Sequence, residues 1–165
     1  MNINKFTQKS MEAVQNCEKL AYEFGNQEID QEHLLKSLID QEDGLILKLI
    51  EKMEINTAHF SNRVTEYLNK KVKVQGGDLR ISNDLNKVLI TAEDEAKAMG
   101  DEYVSVEHLF LSLLKYPNKA MKELFKEYGI TRDRFLTALS TVRGNQRVTS
   151  DNPEATYDTL QKYGT

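Results

Sequence analysis

Small and apolar residues recur along most of the chain in the three- and four-residue steps of a helical face. Between Thr7 and Gly25 they fall at Ser10, Ala13, Val14, Cys17, Ala21 and Phe24. Thr7 suits an N-cap, and Gly25 suits the left-handed residue that ends a helix. The next helix is predicted to start at Asp30, with Ile29 before the cap and Leu34 four positions into the helix forming a hydrophobic staple. A third helix presents Ile46, Leu49, Ile50 and Met53. A fourth is capped by Asn56, with Ile55 stapled on Phe60. No segment alternates over the length of a strand, although Val72-Lys73-Val74 suits a short extended piece.

The same grammar is then written a second time. QEHLLKSLI from Gln31 and VEHLFLSLL from Val106 set His33 and His108 75 positions apart. At that offset Glu18 meets Glu93, Ala21 meets Ala96, Gly25 meets Gly100, Leu49 meets Leu124, and Phe60 meets Phe135. No gap is needed from Thr7/Ser82 to Val64/Leu139. The second copy reads as a helix from Ser82 to Gly100, one capped by Ser105, one carrying Met121, Leu124, Phe125 and Tyr128, and one capped by Thr131. The chain is a tandem duplication. The expected organisation is repeat 1 over 1–68, a polar connector over 69–81, repeat 2 over 82–143, and a polar tail over 144–165 with no counterpart in the repeat. A copy of roughly 60 residues is marginal alone. The fold expected is therefore all-α, with eight helices in two four-helix repeats related by approximate two-fold symmetry. In the tail, Asn152-Pro153 predicts a short helix through Tyr163, and the last three residues end no element, as at a boundary inside a longer chain.

Composition narrows the function. The net charge is −4, with acids and bases interleaved, and the pI is near 5.5, which argues against a nucleic-acid binder. One cysteine, Cys17, excludes an intrachain disulfide. MNINKFTQKS has no apolar stretch of a secretory signal, and no apolar run reaches the roughly 20 residues that span a bilayer. These features fit a helical protein of a reducing, cytoplasmic compartment. A P-loop is absent, and the cluster of Lys70, Lys71 and Lys73 reads as a solvated linker.

The repeated Glu-His pair is the one chemical candidate. Neither pair lies in HExxH, and no second carboxylate recurs at a matching helix position, so metal binding and catalysis are not expected. Glu32 and Glu107 fall at the second helical position, where a carboxylate complements the helix dipole from the surface. His33 and His108 fall at the third, expected at the edge of the core. An alternative is a bipolar ligand, its anion at a helix start capped by Thr7 or Ser82 and its cation on Glu32 or Glu107.

The duplicated four-helix grammar, FTQKSMEAVQNCEKLAYEFGNQEID, MGDEYVSVEHLFLSLL and the tail VRGNQRVTSDNPEATYDTLQKYG resemble the Clp N-terminal domain of bacterial heat-shock-100 chaperones, of the ClpB type. The ClpC type carries Gly-Thr-Glu-His in both copies, where this chain has Asp30-Gln31-Glu32-His33 and Ser105-Val106-Glu107-His108. The resemblance implies a non-catalytic module that engages unfolded or aggregated polypeptides for an ATP-driven disaggregase working with a DnaK-type chaperone. It implies a monomeric domain without a cofactor, while ATP, magnesium and a homohexameric ring belong to the parent protein. It places substrate engagement at Thr7, Asp101 and Glu107 beside an apolar groove near Leu89 and His108; the repeat, not the resemblance, adds Glu32 and Ser82 as a candidate second, equivalent place. The alternative it leaves is an adaptor-docking module, as in the ClpA and ClpC types.

Overall fold

A computed structural model describes residues 3–74 and 76–153. Among these residues, eight α-helices follow one another as the periodicity requires: α1 (Gln8–Glu23), α2 (Gln31–Asp40), α3 (Leu45–Lys52), α4 (Thr57–Asn69), α5 (Asn83–Ala98), α6 (Val106–Lys115), α7 (Lys119–Tyr128) and α8 (Arg132–Arg143). Thr7, Asp30, Asn56, Ser82, Ser105 and Thr131 all stand at N-cap positions. Gly25 and Gly100 follow α1 and α5 with φ of +70° and +73°, a region that costs other residues energy. The tail helix expected through Tyr163 lies outside the described residues beyond Pro153.

The repeat is visible in individual bonds. Ser37 Oγ donates to Ala13 O at 2.6 Å, and Ser112 Oγ donates to Val88 O at 2.8 Å, the same bond 75 residues on. Each ties the second helix of a copy to the first.

The sequence pattern predicts no strand, yet two short ones form. β1 (Glu28–Ile29) pairs in parallel with β2 (Arg80–Ile81), and Val72–Val74 lies outside them. Two residues are too few for alternation to register. The pairing is also duplicated: Phe6 bridges Val104, which are the repeat mates of Ile81 and Ile29. The strand leading into the first helix of each copy thus pairs with the other copy.

This exchange sets the core between the copies. α3 packs on α6 and α8, α1 on α6, and α2 on α5 and α7. Phe60 meets Tyr128 edge-on at 5.1 Å across the seam, and its mate Phe135 stacks on Phe110 at 4.5 Å. Gln31 adds a polar stitch: its amide donates to Asp84 O and Tyr116 O and accepts from Asn118 N. The core is continuous through both repeats.

Candidate functional site

The starts of α2 and α6 carry two related polar networks. At each, the histidine at the third helical position turns back on its own cap. His33 Nδ1 accepts the Asp30 N–H at 2.9 Å, and His108 Nδ1 accepts the Ser105 N–H at 2.8 Å. This completes a capping box in which imidazole takes the place of the usual Glu or Gln. Both rings are fully buried rather than at the edge of the core. The outer nitrogens meet different groups: His33 Nε2 meets Asn26 Oδ1 at 2.9 Å, and His108 Nε2 meets Asp101 Oδ2 at 2.6 Å.

The glutamates are not surface groups, which corrects the expectation from their helix position. Glu107 is 0 % exposed and Glu32 is 4 % exposed. Each finds a cation supplied after or at the end of the fourth helix of its own copy. Lys71 reaches Glu32 Oε2 at 2.7 Å and Asp30 Oδ2 at 3.1 Å, while Asn118 Nδ2 donates to Glu32 Oε1 at 2.8 Å. Arg143, 2 % exposed, donates to Glu107 Oε2 at 3.2 Å and to Asp101 Oδ1. Glu107 also takes the Ser105 hydroxyl. A buried first-turn carboxylate is tolerated because a buried cation neutralises it. Lys71 is therefore a partly exposed member of this network, not a solvated linker charge.

The electrostatics follow from these contacts. Burial would raise the carboxyl of Asp30, but the Gln31 N–H, Lys71 and Ser82 outweigh it and hold it below the usual range. Burial opposes ionisation of Asp101 too, and there His108, Arg143 and the Val148 N–H prevail. For Lys71, burial is overcome by Glu32 and Asp30, so its ammonium holds its proton more firmly. Burial, then the charge of Lys71, push His33 down to about 4 against the opposing pull of Asp30, leaving the ring neutral. Burial pushes the Cys17 thiol up to about 12, as for a core residue. Among the described residues, no three His, Cys, Asp or Glu side chains are grouped to hold a metal. No described helix is long and apolar enough to cross a membrane.

The expected substrate rim is not brought together as a surface. Thr7, Asp101, Glu107 and His108 are all buried, and Ser82 donates to Asp30 Oδ1 at 2.9 Å. The internal cations already hold both glutamates, so a bipolar ligand finds neither carboxylate open. Leu89 lies elsewhere, in a cleft of about 210 Å³ between α1 and α5. Val14, Cys17, Ile29, Ile81 and Leu85 line it with Leu89, and Gln15 and Glu18 of α1 add a polar side. Leu89 and Leu85 are buried in its floor, while Ile81 of β2, which also lines it, is 48 % exposed; Ile90, next to Leu89 in sequence, is equally exposed. Val14 and Leu89 are repeat mates, so the two copies share this cleft at their seam. Arg143, Lys71 and Asn118 were missed because their partners lie 36, 39 and 86 residues away in sequence.

The Clp repeat (R) N-terminal domain family matches residues 5–128. The chain belongs to that family. Against the chaperone protein ClpB of Nitratidesulfovibrio vulgaris, this Clp domain is 43% identical over 170 residues, covering 99% of the chain and 20% of that protein. Against ClpB of Bacillus anthracis it is 40% identical over 169 residues, covering 99% of the chain and 19% of that protein. In structure it resembles the Hsp104 N-terminal domain from Candida albicans, with a TM-score of 0.78 and 26% identity, covering 90% of this chain and 97% of that one. The Clp domain spans about a fifth of the length of the curated relatives it matches.

Proposed function

We propose that the chain is the N-terminal substrate-binding module of a ClpB-type disaggregase, non-catalytic in itself. It would serve a cytoplasmic parent whose ATPase domains supply ATP hydrolysis, hexamer assembly and cooperation with a DnaK-type chaperone. Likeness to ClpB chaperones over 99% of the chain supports the reading of the parent, and the α1–α5 cleft supports the reading of its role. An apolar floor with the half-exposed Ile81 at its edge is suited to weak, non-directional contact with extended apolar segments. Leu89 belongs to that floor. Thr7, Asp101, Glu107 and His108 act in this reading as framework beneath the surface. Residues 144–165 would lead on to an ATPase domain.

The test is an NMR titration of the chain with a reduced, molten model protein and with the same protein folded. Shifts are expected at Ile81, Leu85, Leu89 and Ile90 with the molten form alone, and Ile81→Glu should abolish them. No shift with the molten form would refute the reading. Saturable binding of a folded partner at another face would replace it with adaptor docking.

A further inference from the structure

The tail after α8 follows a path that the connector after α4 has already taken. In the first copy, residues 72–74 run along the loop after α1. Asn26 Nδ2 donates to Val72 O at 3.1 Å, Lys73 Nζ to Phe24 O at 2.7 Å, and Val74 N to Gly25 O at 2.9 Å. In the second copy, residues 146–148 run along the equivalent loop after α5. Val148 N donates to Asp101 Oδ1 at 2.9 Å, and Glu102 N donates to Val148 O at 2.8 Å. The Val148 side chain is fully buried. The Arg147 guanidinium lies against Gly100, where an added Cβ would come within 3.1 Å of it. The strap then reaches the start of α1: Gln8 N donates to Asp151 O at 2.7 Å, and Gln8 Nε2 to Asp151 Oδ2 at 3.2 Å.

The two straps differ in what lies beneath them. Under the first is a neutral amide, Asn26. Under the second is Asp101, which accepts from His108, Arg143 and the strap itself. Arg143 is the crossing point: one nitrogen donates to Asp101, one to Glu107, and its Nε to Gln146 O of the strap at 2.9 Å. The charged network thus sits where the chain leaves the domain, and its donors and acceptors include strap backbone on both sides of Arg147.

We propose that Asp101, Glu107, His108 and Arg143 form a latch that holds residues 146–151 against the domain. The exit of the chain is then fixed beside the start of α1, not at the end of α8. Asp101 and Glu107 are positioning residues for the tail, acting on whatever follows it and not by touching a bound polypeptide. Opening the latch frees residues 144–153, which at full extension add up to roughly 35 Å of reach. The latch therefore sets how far the domain can move relative to the rest of its protein. This inference does not depend on the cleft reading.

Amide hydrogen exchange on the 165-residue chain tests it, with tryptic cleavage after Arg147 as a second readout. Two variants approach the latch from opposite sides: Val148→Ser from the strap and Glu107→Gln from the network. In both, the backbone amides of Gln8, Glu102 and position 148 should exchange at least 10-fold faster than any global loss of protection, read at the Leu113 amide of α6, accounts for, and Arg147 should be cut faster. Release by Val148→Ser alone would overturn the network's part. Unchanged protection in both, or loss in step with Leu113, would overturn the latch altogether.

Discussion

Glu107→Ala measures how far burial changes the meaning of a first-turn glutamate. An exposed carboxylate at that helix position contributes about 0.3–1 kcal/mol through the dipole. Here removal leaves Arg143 buried at 2 % exposure with Asp101 as its remaining carboxylate. Breaking one side of a buried ion pair costs about 3–5 kcal/mol, and because Asp101 remains, the expected loss is at the lower end, about 3 kcal/mol. With a urea m-value of about 2 kcal/mol/M, the midpoint should fall by roughly 1.5 M. Glu32→Ala should cost less, about 1–2 kcal/mol, because Lys71 is 19 % exposed and can turn its ammonium to water. Urea melts of the three proteins, followed by circular dichroism and fitted with a common m-value, give both numbers. A Glu107→Ala midpoint equivalent to less than 1 kcal/mol would mean that the carboxylate is solvated and the network wrongly placed.

Leu38→Ala and Leu113→Ala, repeat mates with no exposure, should each cost about 2–5 kcal/mol in the same melts. Glu54 holds φ of +63° where its mate is Gly129, also at +63°; Glu54→Gly should raise stability by about 0.5–1 kcal/mol through relief of left-handed strain, read as a higher thermal midpoint. For His33, the folded pKa near 4 lies below the unfolded value near 6.5, so its contribution is complete above 6.5 and is lost as the pH falls through 4. The full loss is about 3 kcal/mol. NMR titration of the ring checks this, and a midpoint at or above 6 would refute it.

Helices, caps and the duplication were legible because they rest on local chemistry. Thr7 and Ser82 announce their role within three residues, and the 75-residue offset repeats it. The networks were not legible, because burial is a tertiary property. Position two of a helix says that Glu107 favours the dipole; it does not say that α8 will bring Arg143 over it. Nor does the polarity of GNQRVTSD reveal that Val148 is its one buried residue, since a single apolar side chain carries no period. The Asn26/Asp101 difference was visible in sequence. Its meaning required seeing which histidine each group faces.

The crossed pairing of Ile81 with Ile29 and Phe6 with Val104 bears on how such a chain could arise. One copy alone has a lead-in strand with no partner and half of a core. A second, identical molecule could supply both, giving a symmetric dimer in which each protomer lends its strand to the other. Duplication and fusion would then change no contact, only join the partners and remove the concentration dependence of their assembly. Once the halves were joined, identity between them was no longer required. One loop could keep an amide at Asn26 while the other took a carboxylate at Asp101, a divergence that a symmetric pair of identical chains cannot make.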